Sequence, residues 1–219
     1  MALSGRHAIA AMCVCPLAVA ASDMPTDRAS APGWTFRVLL DGQPIGEHRF
    51  RLSAAHESGE RTLVSEARFT VRWLGVALYR YQHRAVELWR GDCLAEMSAD
   101  TDDNGTRTQV SARAQDAQFD VTAPARQSAR GCVMSFAYWN PALRTQQRLL
   151  NPQTGRIEPV RITPLGETPL ELGARSVAAT GWRIQGPAQP IDVWYSAQGD
   201  WIGLDARVDG GRVLRYRLQ

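Results

Sequence analysis

The chain has 219 residues, with 25 basic residues, all arginine, against 22 acidic ones, and a net charge of +3. Apolar content of 44% and charged content of 21% are ordinary globular values, and they exclude a disordered tail, a collagen-like chain and a polytopic membrane protein. With the leader described next set aside, about 200 residues remain, enough for one β-rich domain with a sizeable core.

Residues 1–21 carry one charge, Arg6, ahead of an apolar stretch from Ala8 to Ala20 that closes on Ala18, Val19, Ala20 and Ala21. This predicts a secretory signal peptide. The apolar run of about 13 residues is shorter than the ~20 that a bilayer span needs, and Ala18 and Ala20 offer an A-x-A cleavage site. A lipoprotein signal on Cys13 or Cys15 is the weaker reading, because neither cysteine follows the leucine and small residues such a signal uses. Cleavage would remove Arg6, leaving 25 − 1 = 24 arginines against 22 acids, and would leave Cys93 and Cys132 as the two remaining cysteines. The predicted address is the periplasm, and the mature chain is expected to have no transmembrane segment. In an oxidising compartment two cysteines predict one structural disulfide, with a buried thiol pair as the alternative.

Residues 22–33 show no apolar period and are expected to form a flexible lead-in, with the folded domain spanning 34–219. Trp34, Phe36, Val38 and Leu40 alternate with polar positions, Asp41-Gly42-Gln43-Pro44 supplies a turn, and His48, Phe50 and Leu52 resume the alternation, which predicts a hairpin. Leu63, Ser65, Ala67, Phe69, Val71 and Trp73 then share one face of a long strand. In the next run, 76–90, Tyr79, Tyr81, His83, Ala85, Glu87 and Trp89 oppose Arg80, Gln82, Arg84 and Arg90. Further strands are predicted over 93–99, 106–114 and 118–122, with Asp102-Asp103-Asn104-Gly105 as a hairpin turn. The stretch 135–151 lacks period two and predicts one or two short helical turns. Glycine-punctuated strands follow over 157–163, 176–185, 191–196, 201–208 and 212–218. No amphipathic helix is long enough for a parallel crossover, so the fold class is mainly β: a single-domain curved antiparallel sheet or half-barrel with a short helical excursion near 135–151.

Leu40-Asp41-Gly42 with Ile45-Gly46, Ala67-Arg68-Phe69, Tyr79-Arg80-Tyr81 with His83-Arg84, and Trp89-Arg90-Gly91-Asp92-Cys93-Leu94 form a distinctive series. It continues through Thr101-Asp102-Asp103-Asn104-Gly105, Ser135-Phe136-Ala137-Tyr138-Trp139-Asn140-Pro141, Leu149-Leu150-Asn151-Pro152-Gln153-Thr154-Gly155 and Trp194-Tyr195. Together these strings resemble an uncharacterised family of secreted proteobacterial proteins, a domain of unknown function, from about Trp34 onward. The resemblance implies a bacterial source and a periplasmic address, and no activity. The closing hairpin is similar in architecture to the half-barrels of lipoprotein-localisation factors, whose concave face can hold acyl chains.

The candidate ligand-binding residues are Trp73, Tyr79, Tyr81, His83, Glu87, Trp89, Tyr138, Trp139 and Trp194. Aromatic side chains with polar tips suit an apolar groove that needs a few orienting hydrogen bonds, and equally they suit a packed core. His83 and Glu87 stand roughly 13 Å apart along one strand, too far for a direct acid/base couple without bending. Asp100, Asp102, Asn104 and Gly105 match the opening of a calcium loop, but Ser111 stands where such a loop ends in glutamate, so a plain hairpin turn is expected. There is no G-x-S-x-G, H-E-x-x-H or phosphate loop. His48, His56 and His83 are too scattered to predict a metal site, no cofactor is expected, and the dispersed arginines argue against a nucleic-acid surface. The leading expectation is a binder of a lipid, acyl group or other apolar small molecule. The rivals are an envelope enzyme acting on an apolar substrate, with His83 and Glu87 as polar participants, and a scaffold for an envelope partner protein.

Overall fold

A computed structural model describes residues 32–186 and 188–219. The predicted signal peptide and nearly all of the lead-in lie outside the described residues. Alternating apolar positions place strands β1 (Gly33–Leu40), β2 (Gln43–Leu52), β3 (Glu60–Trp73), β4 (Val76–Arg90), β5 (Cys93–Asp103), β6 (Thr106–Gln115), β7 (Gln118–Ala123) and β8 (Gln127–Arg130) in a continuous antiparallel meander. A second meander follows later in the chain: β12 (Arg161–Leu172), β13 (Arg175–Gln185), β14 (Ile191–Ser196), β15 (Trp201–Arg207) and β16 (Val213–Leu218). The two arms join where β16 pairs with β1, Phe36 opposite Leu218 and Leu40 opposite Leu214. The result is one 13-stranded antiparallel sheet that begins at β12, ends at β8 and does not close.

Inward side chains from both arms belong to a single buried core that includes Phe36, Phe50, Trp89, Phe119, Val193 and Trp201, so the sheet curls with its two edges facing a common interior. Residues 131–160 run from the end of β8 to the start of β12 and fill that interior. They contain three short strands, β9 (Met134–Ser135), β10 (Arg148–Leu150) and β11 (Ile157–Pro159), in a small separate sheet, and one 3-10 turn, Pro141–Thr145. Asn140 caps that turn by accepting from the Ala142 N–H at 2.9 Å, leaving Leu143 buried beneath it. Met134, Leu143, Leu149 and Leu150 are 0–1% exposed, and this inner segment is therefore part of the core.

Several links fix the inner segment. The Cys93–Cys132 disulfide is formed, with Cα atoms 5.2 Å apart, tying its start to β5. The Gln127 side chain reaches both the Gly155 carbonyl and the Ile157 N–H, at 3.2 Å each. Arg144 lies over the Tyr195 ring, 4.4 Å from its centroid, and Tyr195 donates its hydroxyl to the Tyr138 carbonyl at 2.8 Å.

The observed elements differ from expectation in several places. The 135–151 excursion holds the expected short helical turn, as a 3-10 turn, and adds strand β10 and the end of β9. Strand β8, Gln-Ser-Ala-Arg, was not expected, having no apolar alternation. The strand predicted over 157–163 is a short β11 followed by a β12 that extends to Leu172 through Pro164 and Pro169. Proline is tolerated there because β12 is an edge strand with one side free of partners.

Candidate functional site

Cross-strand register assembles the site from residues far apart in sequence. Phe36, His48, Ala67, His83 and Thr101 form one row across β1–β5, and Phe50, Ser65, Ala85, Ala99 and Val110 form the next row across β2–β6. At the middle of these rows the inward residues are small (Ser65, Ala67, Ala85, Ala99), so the sheet leaves space between itself and the inner segment. Because Ala67 alone separates them, the His48 and His83 rings approach to 6.4 Å between centroids, edge to face.

The space is a cavity of about 190 Å³. The sheet contributes His48, Ser65, His83, Ala85, Glu87 and Tyr216 to its wall, and the inner segment contributes Ser135, Phe136, Ala137, Tyr138 and Trp139. At about 30 Å³ per water molecule the volume is roughly that of six waters, smaller than the ~300–1,000 Å³ typical of sites for drug-sized ligands. It suits a small amphiphile or a short stretch of acyl chain.

The polar groups of the wall are held in place and are electrically quiet. Glu87 is 3% exposed, and one carboxylate oxygen accepts from Trp89 Nε1 at 3.0 Å and from Ser135 Oγ at 3.1 Å. Burial pushes its pKa up to about 7, against the opposing pull of these two donors. Burial also lowers His83 to about 4, with a small upward contribution from Asp100. His48 lies well below the usual imidazole value, mainly through burial and secondarily through its proximity to His83. One nitrogen of His83 meets Thr101 Oγ1 at 2.9 Å, and His48 Nε2 meets Ser65 Oγ at 2.8 Å. Burial thus favours the neutral form of all three groups, the protonated carboxyl of Glu87 and the unprotonated imidazoles of His48 and His83. Two buried polar atoms of wall residues, His48 Nδ1 and Trp139 Nε1, have no hydrogen-bond partner among the described residues.

Of the candidates named from sequence, His83, Glu87, Tyr138 and Trp139 are brought together around the cavity. Trp89 is fully buried beside it, packed edge to face on Trp139 at 5.4 Å. Tyr81 belongs to a neighbouring core cluster, stacked on Phe69 at 5.2 Å, and the half-buried Tyr79 packs against the same cluster. Trp194 is on the opposite face of the sheet, lying over Gly181 and hydrogen-bonded through Nε1 to Asp205 at 3.0 Å. Neighbouring strand residues alternate sides, so Val193 and Tyr195 point inward and Trp194 points out. The side chain of Trp73 lies outside the described part of the structure. His48, Ser65, Ser135 and Tyr216 join the site through cross-strand pairing and the inner segment, which no local pattern reveals. Among the described residues no group of three or more His, Cys, Asp or Glu side chains is arranged to hold a metal ion. The Asn104-Gly105 pair forms the tight β5–β6 turn, both residues with positive φ, and the Asp102 carboxylate accepts from the Gly105 N–H at 2.8 Å.

Fold and site together define an open, β-barrel-like antiparallel domain that holds part of its own chain inside, with a small cavity between the two. Residues 36–219 match the family described as "Domain of unknown function (DUF6134)", and the chain belongs to that family. The fold is similar to that of a solved Brucella abortus protein described as "Beta-barrel-like Protein of Domain of Unknown Function DUF1849". The TM-score is 0.60 at 10% sequence identity, covering 85% of this chain and 94% of the other. At that identity the likeness concerns the fold alone. No curated protein matches the chain.

Proposed function

We propose that the protein binds a small hydrophobic or amphiphilic ligand, an acyl chain or lipid fragment, in the cavity between the curved sheet and its inner segment. The observation that carries this reading is a mostly apolar cavity whose buried acid and imidazoles, Glu87, His48 and His83, are all pushed by burial toward their neutral forms. Such a wall accepts a methylene chain without desolvating a charge and still offers hydrogen bonds to one polar end. We place the protein in the bacterial periplasm, on the strength of the signal-peptide pattern in residues 1–21 and the Cys93–Cys132 disulfide.

The test is native mass spectrometry of the gently purified protein, with fatty acids of graded chain length titrated against the emptied form. A defined adduct, or saturable binding, is expected for the wild type. Both should be lost in Ala85→Leu, which fills the cavity from its sheet wall. Binding that persists unchanged in Ala85→Leu would place the ligand elsewhere, and a protein that takes up no acyl compound would overturn the reading.

One observation favours a second reading. A buried carboxyl with a pKa near neutrality is the ordinary property of a general acid or base, so Glu87 could transfer a proton on an apolar substrate, with His83 as a polar neighbour. Turnover abolished in a folded Glu87→Gln protein would support the enzyme over the binder.

A further inference from the structure

Strands β3 and β4 are longer than the strands on either side of them. The last β3 residue paired with β2 is Phe69, and the last β4 residue paired with β5 is Tyr81. Just past that pair the Asn104 N–H donates to the Arg80 carbonyl at 2.8 Å. Beyond this point, from Thr70 to Leu78, the backbone pairing among the described residues joins the two strands only to each other. They form a bare ribbon that reaches roughly 15 Å past the sheet at about 3.3 Å per residue. The ribbon turns at Leu74-Gly75, both in the left-handed region, with φ of 47° and 83°. Glycine adopts that conformation freely. Leucine does so against a steric penalty, and here it places a large apolar side chain at the tip.

A two-stranded ribbon in water normally carries polar side chains at its end. This one carries Leu74, Val76 and Leu78, exposed by 83%, 62% and 59%. Apart from these three, the remaining exposed large apolar side chain recorded among the described residues is Leu165 at 40%, elsewhere in the fold. The charge carried by the ribbon's own residues is one-sided, the nearest carboxylates being at its base, Glu47 opposite Arg68 and Asp102 and Asp103 opposite Gln82 and Tyr81. Residues 68–82 include three arginines, Arg68, Arg72 and Arg80, and no acidic residue. Farther along the same sheet several outer arginines do sit with carboxylates, as in Arg84 and Arg51 with Glu66, Arg90 with Glu60 and Arg113 with Glu96. Arg72 instead donates to the Gly75 carbonyl at 3.3 Å, and among the described residues neither it nor Arg80 is in a salt bridge. An aliphatic tip flanked by uncompensated arginines matches the boundary of an anionic bilayer. There apolar groups enter the acyl layer, guanidinium groups meet phosphate, and no shaped pocket is needed.

We propose that the β3–β4 hairpin docks the protein on an anionic phospholipid surface, with Leu74, Val76 and Leu78 entering the acyl boundary and Arg72 and Arg80 on the headgroup phosphates. The proposal is independent of the cavity reading, because the ribbon lies outside the cavity wall.

The test is vesicle flotation of the full folded protein with one-to-one phosphatidylglycerol–phosphatidylcholine vesicles, and with phosphatidylcholine alone, at low and high salt. The wild type is expected to float with the mixed vesicles, to do so less as salt rises, and to remain largely unbound with phosphatidylcholine alone. Leu74→Asp/Leu78→Asp should weaken partitioning by about tenfold or more while melting as the wild type does, since both side chains lie outside the core. Arg72→Glu/Arg80→Glu should remove the salt-sensitive part. The ribbon lies outside the cavity wall, so flotation stands or falls whatever the acyl titration of the cavity shows. A wild type that ignores the mixed vesicles, or a leucine double variant that floats as well as the wild type, would overturn the proposal. Self-association lost in that double variant, without vesicle binding, would instead assign the tip to a second copy of the chain.

Discussion

Glu87 and the two cavity histidines oppose each other in their effect on stability. The folded-state pKa of Glu87 is raised from 4.5 to about 7, so the native state holds its proton more tightly than the unfolded chain does. Its contribution is most favourable below pH 4.5 and is lost as pH rises to about 7, a swing of about 3 kcal/mol at 1.36 kcal/mol per pKa unit. His83 is lowered from 6.5 to about 4, so its contribution is present above pH 6.5 and is lost as pH falls through 4. In the wild type the two slopes partly cancel between pH 4.5 and 6.5. Glu87→Gln should remove one of them. Chemical denaturation across pH should then show the variant more stable than the wild type above pH 7, by at most about 3 kcal/mol, and losing stability on acidification below pH 6.5. A variant that simply tracks the wild type at every pH would mean that Glu87 titrates normally. Trp89 is fully buried and donates to Glu87, so Trp89→Ala should cost about 3–5 kcal/mol in the same denaturation assay. Its indole N–H supports the Glu87 carboxyl from beside the cavity, a position that its place in the alternation could not separate from the cavity wall.

At the scale of elements, alternation made the long central strands legible. β3 and β4 end within a few residues of where the apolar pattern starts and stops, because each buries one face and wets the other. The limits of that reading are equally physical. β8 is four residues without an apolar stripe, β12 carries prolines that only an edge permits, and 131–160 is irregular chain whose buried residues, among them Val133, Met134, Ser135, Ala137, Asn140, Leu143, Leu149 and Leu150, follow no single period. The cavity was half visible: His83 and Glu87 share the inner face of β4, but His48 and Ser65 reach it through register, and Ser135 arrives on the inner segment. The disulfide is what ties the entry of that segment to the sheet. Closing a separation of 39 residues is worth up to about 4 kcal/mol on a chain-entropy basis. The Cys93→Ser/Cys132→Ser protein should show a loss of that order in melting experiments. It should also show faster hydrogen exchange over 131–160 than over β1–β4, because the release is local. A uniform increase in exchange would mean that the inner segment and the sheet open as one unit.

For the whole molecule, the unclosed sheet is stabilised by its contents. Its edges, β8 and β12, are bridged by the chain that runs between them, so a compound seated against that chain stabilises the entire domain. An acyl ligand at 100 times its dissociation constant should raise the unfolding free energy by about 2.7 kcal/mol, seen as a concentration-dependent rise in melting temperature that Ala85→Leu abolishes. The pairing of β16 with β1 has a different consequence, for the order of events in synthesis. The inner edge of β1 finds its partner only in a strand made after every other one, so each half of the sheet leaves the ribosome with an open edge. The contact of Phe36 with Leu218 spans almost the full described chain, and contacts of such separation form slowly. The nascent protein therefore stays unsealed until β16 has emerged, and until then both halves of the sheet are open to pairing with other chains.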